Sequence, residues 1–173
     1  MTFFPSINKW FIPFAALEES RRDMANQGKK GNEATCLWLG TKSDGQAHIS
    51  HIVLLRGDGI ECRPQNVIIS PDLLSDIHDR AIDLELVLIG QIHTHGPFYG
   101  TDLSPVDHRY GIRAPYFLSI VCPDYGKRES TLITECGIHV YFPDRGYRRL
   151  SSSEIDRRIS MTGESVHVLT IGG

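Results

Sequence analysis

Hydrophobic positions along the chain follow two periods. In FAALEESRRDMANQG, residues 14–28, Phe14, Leu17, Arg21 and Met24 recur at helical spacing and Gly28 ends the run, so a helix is expected there. EATCLWLGTK, opened by Glu33, is instead a nearly unbroken apolar run stopped by Gly40, the mark of a buried strand. The Asp-Gly of KSDGQ favours a tight hairpin turn, and AHISHIVLLRG, residues 47–57, is the return strand. GDGIECRPQN reads as a mixed loop. Ser70 and Pro71 then suit a helix start, with Leu73, Leu74, Ile77 and Ala81 following on one face. LVLIGQIHTH, residues 86–95, is a second buried strand. In LSPVDHRYG, Ser104 is an expected N-cap and Pro105 a first helical residue. YFLSIVCPD, residues 116–124, reads as another strand, and TLITEC with GIHVYFP as a closing hairpin centred near Cys136 and Gly137. Ser151 and Glu154 make a capping box for a last short helix, and ESVHVLTIGG is an expected edge strand.

The order helix, hairpin, helix, strand, short helix and further strands predicts an α/β sandwich: a mixed sheet with helices on its faces. At 173 residues, 40% of them hydrophobic, the chain is about one domain long, and no repeat or linker divides residues 1–173. A net charge of −3 leaves no broad basic surface, which argues against a nucleic-acid partner. The cysteines at 36, 62, 122 and 136 form no CxxC pair. Cys36 and Cys122 lie inside apolar runs, where buried free thiols are expected, and a reducing cytoplasm fits. The opening MTFFPSINKWFIPF has no basic start or cleavage site and reads as an ordered first segment, not a signal. No run approaches the ~20 apolar residues of a membrane span.

The candidate chemistry lies in HTHGPFYGTDLSPVD, residues 93–107. Side chains two apart on a strand share a face, so His93 and His95 can present both imidazoles to one ion. Asp107, in the first turn of the helix capped by Ser104, is the expected third ligand, leaving a fourth position to water as in catalytic zinc sites. Hydrolysis also needs a group to move a proton. Glu33 is the candidate, because a glutamate opening a buried strand is hard to explain by packing; Glu61, Glu85 and Asp102 are rivals. Structural readings stand beside these: any N-cap favours serine, Glu33 could lie at a solvent-facing strand edge, and Asp102 suits a turn. His108 reads as solvated or as a neighbour of the ligands. His48, His51, His78, His139 and His167 show no ligand spacing, and Leu37 and Trp38 are core by position.

Over roughly residues 12–145 these features resemble the JAMM metalloproteases, also called MPN+ or JAB, which remove ubiquitin or ubiquitin-like proteins from substrates. Their ExxGxLxG pattern is similar to EATCLWLG, with Glu33 and Gly40 in place and Cys36 for the first glycine. Their HxHP, six residues, then SxxD is similar to HTH, PFYGTDL and SPVD, with Gly96 added between His95 and Pro97. The resemblance implies a cytidine-deaminase-like, three-layer α-β-α fold and one catalytic Zn2+ with a bound water. It implies His93, His95 and Asp107 as ligands, Glu33 as general acid/base, and Ser104 as hydroxyl donor to the oxyanion. The added Gly96 bears on the loop over the metal and on substrate entry. The chain looks most like short bacterial members similar to those encoded beside activating and conjugating enzymes, including in antiphage operons. The implied substrate is a ubiquitin-like protein, matured at its tail or cut from a target lysine. Two alternatives are a hydrolase that releases an amino acid or short extension from a sulfur-carrier protein, and a non-catalytic MPN scaffold. The closing Gly172-Gly173 reads as a frayed end, with mimicry of a ubiquitin-like tail as the other reading.

Overall fold

A computed structural model of the protein describes residues 5–173. The first element is a strand, β1 (Lys9–Pro13), leading without a break into α1 (Phe14–Gly28). The opening segment is thus ordered from residue 5; the part of that expectation resting on residues 1–4 lies outside the described residues. The hairpin follows as β2 (Thr35–Ser43) and β3 (Gln46–Leu55), turning at Asp44-Gly45 with both residues at positive φ.

Where a loop was expected, β4 (Ile60–Arg63) and β5 (Asn66–Ile69) form a separate two-stranded hairpin about Pro64-Gln65. Helix α2 (Pro71–Asp83) starts at the Ser70 cap, whose Oγ accepts from the Leu73 N–H at 3.1 Å. Ser70→Ala should therefore lower stability by about 1 kcal/mol, read as a melting temperature lower by about 2–4 °C.

Next come β6 (Val87–Thr94), α3 (Pro105–Tyr110) and β7 (Leu118–Cys122). The hairpin expected about Cys136-Gly137 is displaced along the chain. Residues Ile133–Glu135 make a 3-10 turn, and the hairpin is β8 (Gly137–Phe142) with β9 (Gly146–Arg149). Gly137 is taken up in the ladder opposite Val121, whereas PDRG carries the turn, with Gly146 at φ 76°. Helix α4 (Ser152–Arg158) keeps its Ser151–Glu154 capping box and runs into β10 (Ile159–Thr162); β11 (His167–Ile171) closes the described chain.

The large sheet is mixed, in the order β10-β1-β3-β2-β6-β7-β8-β9. β11 pairs parallel with residues 51–55 of β3, continuing the edge that β1 starts at residues 46–48. Alternation along β2 explains the layers. Cys36 and Trp38 point into a core with Ala16, Leu17 and Met24 of α1, and Leu37 and Leu39 into a second core with Leu73, Ile77 and Ala81 of α2. With α1 and α2 on opposite faces, β2 is buried on both, which is why its sequence is apolar without a break. The expected mixed α/β sandwich is what the chain forms. All four cysteines are free thiols, with Cys36, Cys122 and Cys136 buried. No helix among the described residues is long and apolar enough to cross a membrane.

Candidate metal centre and adjoining groove

β6 lies between β2 and β7 and ends at the site. Cys36 faces Ile92 across the ladder and both join the α1 core, so Thr35 and His93 point to the α2 face. Beyond the strand end, His95 stays in line through its N–H to the Cys122 carbonyl, 3.0 Å. Glu33 sits two residues before β2. Its neighbour Ala34 is bound to Thr94 both ways, N–H to Oγ1 and carbonyl to N–H, each 3.0 Å. The Glu33 N–H donates to the Arg63 carbonyl at 2.8 Å. Asp107 enters from α3, where Ser104 Oγ accepts from the Asp107 N–H at 3.1 Å and Asp107 Oδ2 accepts from the Ser104 N–H at 2.8 Å.

The three expected ligands converge. His93 Nε2 lies 3.3 Å from His95 Nε2, and Asp107 Oδ2 lies 3.4 Å and 3.2 Å from these nitrogens. Bonds of roughly 2.0–2.1 Å at tetrahedral angles place ligand atoms about 3.3–3.4 Å apart. The triangle therefore fits one face of a tetrahedron about such an ion. His95 Nδ1 is 2.7 Å from the Gly100 carbonyl oxygen and donates to it, so the neutral imidazole, the form that binds metal, would present its Nε2 lone pair to the triangle. His93 Nδ1 is buried and finds no partner among the described residues.

The electrostatics divide the two carboxylates. Burial works against ionised Asp107, but hydrogen bonds with His93 and His95 and from the Ser104 N–H outweigh it and hold the carboxyl well below the usual range. His95 is conversely raised, burial being outweighed by Asp107 and the Gly100 carbonyl. Glu33, only 4% exposed, is pushed up to about 7, by burial first and by the Asp107 charge, against the pull of His95. One carboxylate is thus kept ionised beside the two imidazoles, while burial holds the other closer to its protonated form.

Glu33, His93 and Asp107 open into one groove of about 520 Å³. Thr35 and Gln91 line it from the sheet, Asn66 through Ile69 and Leu74 from β5 and α2, and Val106, Tyr110, Gly111 and Ile112 from α3 and beyond. Val106, Tyr110 and Ile68 are exposed apolar side chains along it. A more open depression of about 740 Å³, against α1, shares no residue with the triangle. The groove, unlike this depression, brings Glu33 together with His93 and Asp107.

The rivals of Glu33 are accounted for elsewhere. Glu61 pairs with Arg63, Asp102 is exposed and pairs with Arg149, and Glu85 turns the chain after α2 at φ 56°. His108 is exposed beside Tyr147. His48 stacks on Phe11 and His51 on His167, while Leu37 and Trp38 are fully buried. Gly172 and Gly173 lie exposed against the Arg56-Gly57 turn, not at the triangle. Sequence reasoning missed the groove walls of β5 and α3, and Tyr125. The β-branched NVII beside Pro64-Gln65 was the available signal for β5.

No protein-family model matches this chain, and no curated protein matches it. Among solved structures, the solution structure of protein DSY2949 from Desulfitobacterium hafniense is similar, with a TM-score of 0.64 at 16% identity. The likeness covers 90% of this chain and 94% of that one, and at such identity it speaks for the mixed α/β fold alone.

Proposed function

We propose that the chain is a zinc-dependent isopeptidase of the JAMM type, with the cytidine-deaminase-like MPN arrangement, cutting after the C-terminal tail of a ubiquitin-like protein. The observation that carries this reading is a buried glutamate sharing one groove with a His-His-Asp donor triangle of tetrahedral size. Zinc held by His93, His95 and Asp107 would supply Lewis acidity and a water of lowered pKa. Glu33 takes the proton of the attacking water and, once protonated, returns it to the leaving amine. The Ser104 Oγ lone pair is engaged by the Asp107 N–H, which leaves its own O–H to donate to the oxyanion. Asp107, anchored by the Ser104 N–H, keeps the ligand face rigid.

The groove suits an extended tail. Its walls are largely apolar, and among the described residues β5 is hydrogen-bonded to β4 alone, so its other edge can take a strand-like peptide. The activating and conjugating enzymes of such a pathway are the expected functional partners, in the cytoplasm, where free buried thiols persist.

The test is metal content with cleavage. Purified protein should hold one zinc per chain and release a fusion at the last residue of a ubiquitin-like tail, read by mass spectrometry. Chelation should stop the cleavage and added zinc restore it. Failure to take up zinc would sink the reading, and cleavage of a sulfur-carrier extension instead would move the substrate to that class.

A further inference from the structure

We propose that Tyr125 is a positioning residue that ties the metal-ligand strand to the segment carrying Glu33. This role rests on the reading of Glu33 as the proton carrier. Four contacts make the tie. The Tyr125 N–H donates to the His95 carbonyl at 2.8 Å, and its ring covers Gly96, where an added Cβ would lie 2.9 Å from Cζ and Oη. Its Oη donates to the Pro64 carbonyl at 3.0 Å. The preceding carbonyl, Arg63, accepts the Glu33 N–H at 2.8 Å. The same turn is tied a second time, by Gln65 Nε2 donating to Tyr99 Oη at 2.5 Å. Tyr125 thus stands between ligand and acid/base, in contact with the residue after one and the turn that holds the other.

The backbone there is unusual enough to need a reason. Asp124, Tyr125 and Gly126 lie in succession at φ 57°, 54° and 68°, a left-handed run that only glycine adopts freely. Surrounding structure enforces it. Gly28 closes α1 so tightly that a Cβ there would lie 2.3 Å from the Tyr125 carbonyl oxygen. Arg21, buried on α1 and paired with Glu18, donates to the Gly126 carbonyl at 3.0 Å. α1 therefore presses the turn upward and aims the phenol across Gly96 to the hairpin. This also explains the glycine at 96: any side chain would push the phenol off Pro64.

Tyr125→Phe keeps the ring and removes only the tie to Pro64. It should lower kcat about tenfold for the fusion that the wild type cleaves, with KM and zinc affinity within about twofold. In zinc-free protein, amide exchange at Glu33 should quicken about tenfold. Gly96→Ala should reproduce the loss of kcat in the wild type and add little on top of Tyr125→Ala, as expected of two residues acting through one contact; a loss confined to kcat, with KM and zinc affinity kept, is what a merely structural loosening would not give. Unchanged kcat in Tyr125→Phe, beside an inactive Glu33→Gln, would overturn this role alone. A fully active Glu33→Gln would overturn the reading of Glu33 and this role with it.

Discussion

Replacing Glu33 by glutamine should lower kcat by about 10²–10⁴, the range that a positioned proton carrier contributes, while zinc stays at one per chain. Zinc stays because Glu33 is not part of the donor triangle. The same substitution should raise the stability of zinc-free protein at pH 8 and leave it nearly unchanged at pH 4. Glu33 in the folded chain titrates near 7, pushed up mainly by burial, against 4.5 for an unhindered glutamate. A raised folded pKa means that the native state favours the proton. The stabilising share is then complete below about 4.5 and is lost as pH rises through 7. At pH 8 the ionised, buried carboxylate costs about 3 kcal/mol, and glutamine, which carries no charge, escapes it. Paired thermal melts at the two pH values measure the difference. Equal effects at both, or undiminished cleavage, would remove Glu33 from the role given to it.

What could be read in advance follows from how local each signal is. The three serine caps, Ser70, Ser104 and Ser151, act within three residues, and all three hold their helices as expected. The HTH spacing needs only a strand, and β6 provides it. β1, β10 and the β4–β5 hairpin were missed because they are too short for a period to show and lack an apolar run as long as the LSIVC that marks β7. The misplaced hairpin has a different cause. Gly137 has the look of a turn residue, yet it is glycine because the Thr101 carbonyl lies 1.8 Å from where its Cβ would be. Gly96 belongs with it: its reason is the Tyr125 ring, far along the chain, and nothing beside it in sequence tells of that. Glycines set by close approach across the fold are indistinguishable, in sequence, from glycines set by backbone conformation.

Asp107→Asn should separate the metal from the fold. Asparagine can still accept from the Ser104 N–H, so α3 keeps its capped start, but the anionic ligand is gone. Zinc sites with full ligand sets bind with roughly 10–16 kcal/mol, so about 3–4 kcal/mol rests on each ligand and affinity should fall about 10²–10³-fold. A stability measurement reads this without any substrate. With free zinc at a thousand times the wild-type Kd, binding stabilises the wild type by about 4 kcal/mol, and the variant at the same zinc by only about 0.4–1.4 kcal/mol. For a chain of this length that is a rise in melting temperature of about 8–16 °C collapsing to below about 6 °C. Because only folded protein brings His93, His95 and Asp107 within 3.4 Å of one another, the shift reports the triangle itself. A wild type indifferent to zinc would dismiss the metal, and a variant that kept the full shift would dismiss Asp107 as its ligand. Both outcomes stand apart from the Glu33 experiment, since a chain can hold zinc and still lack a group to move the proton.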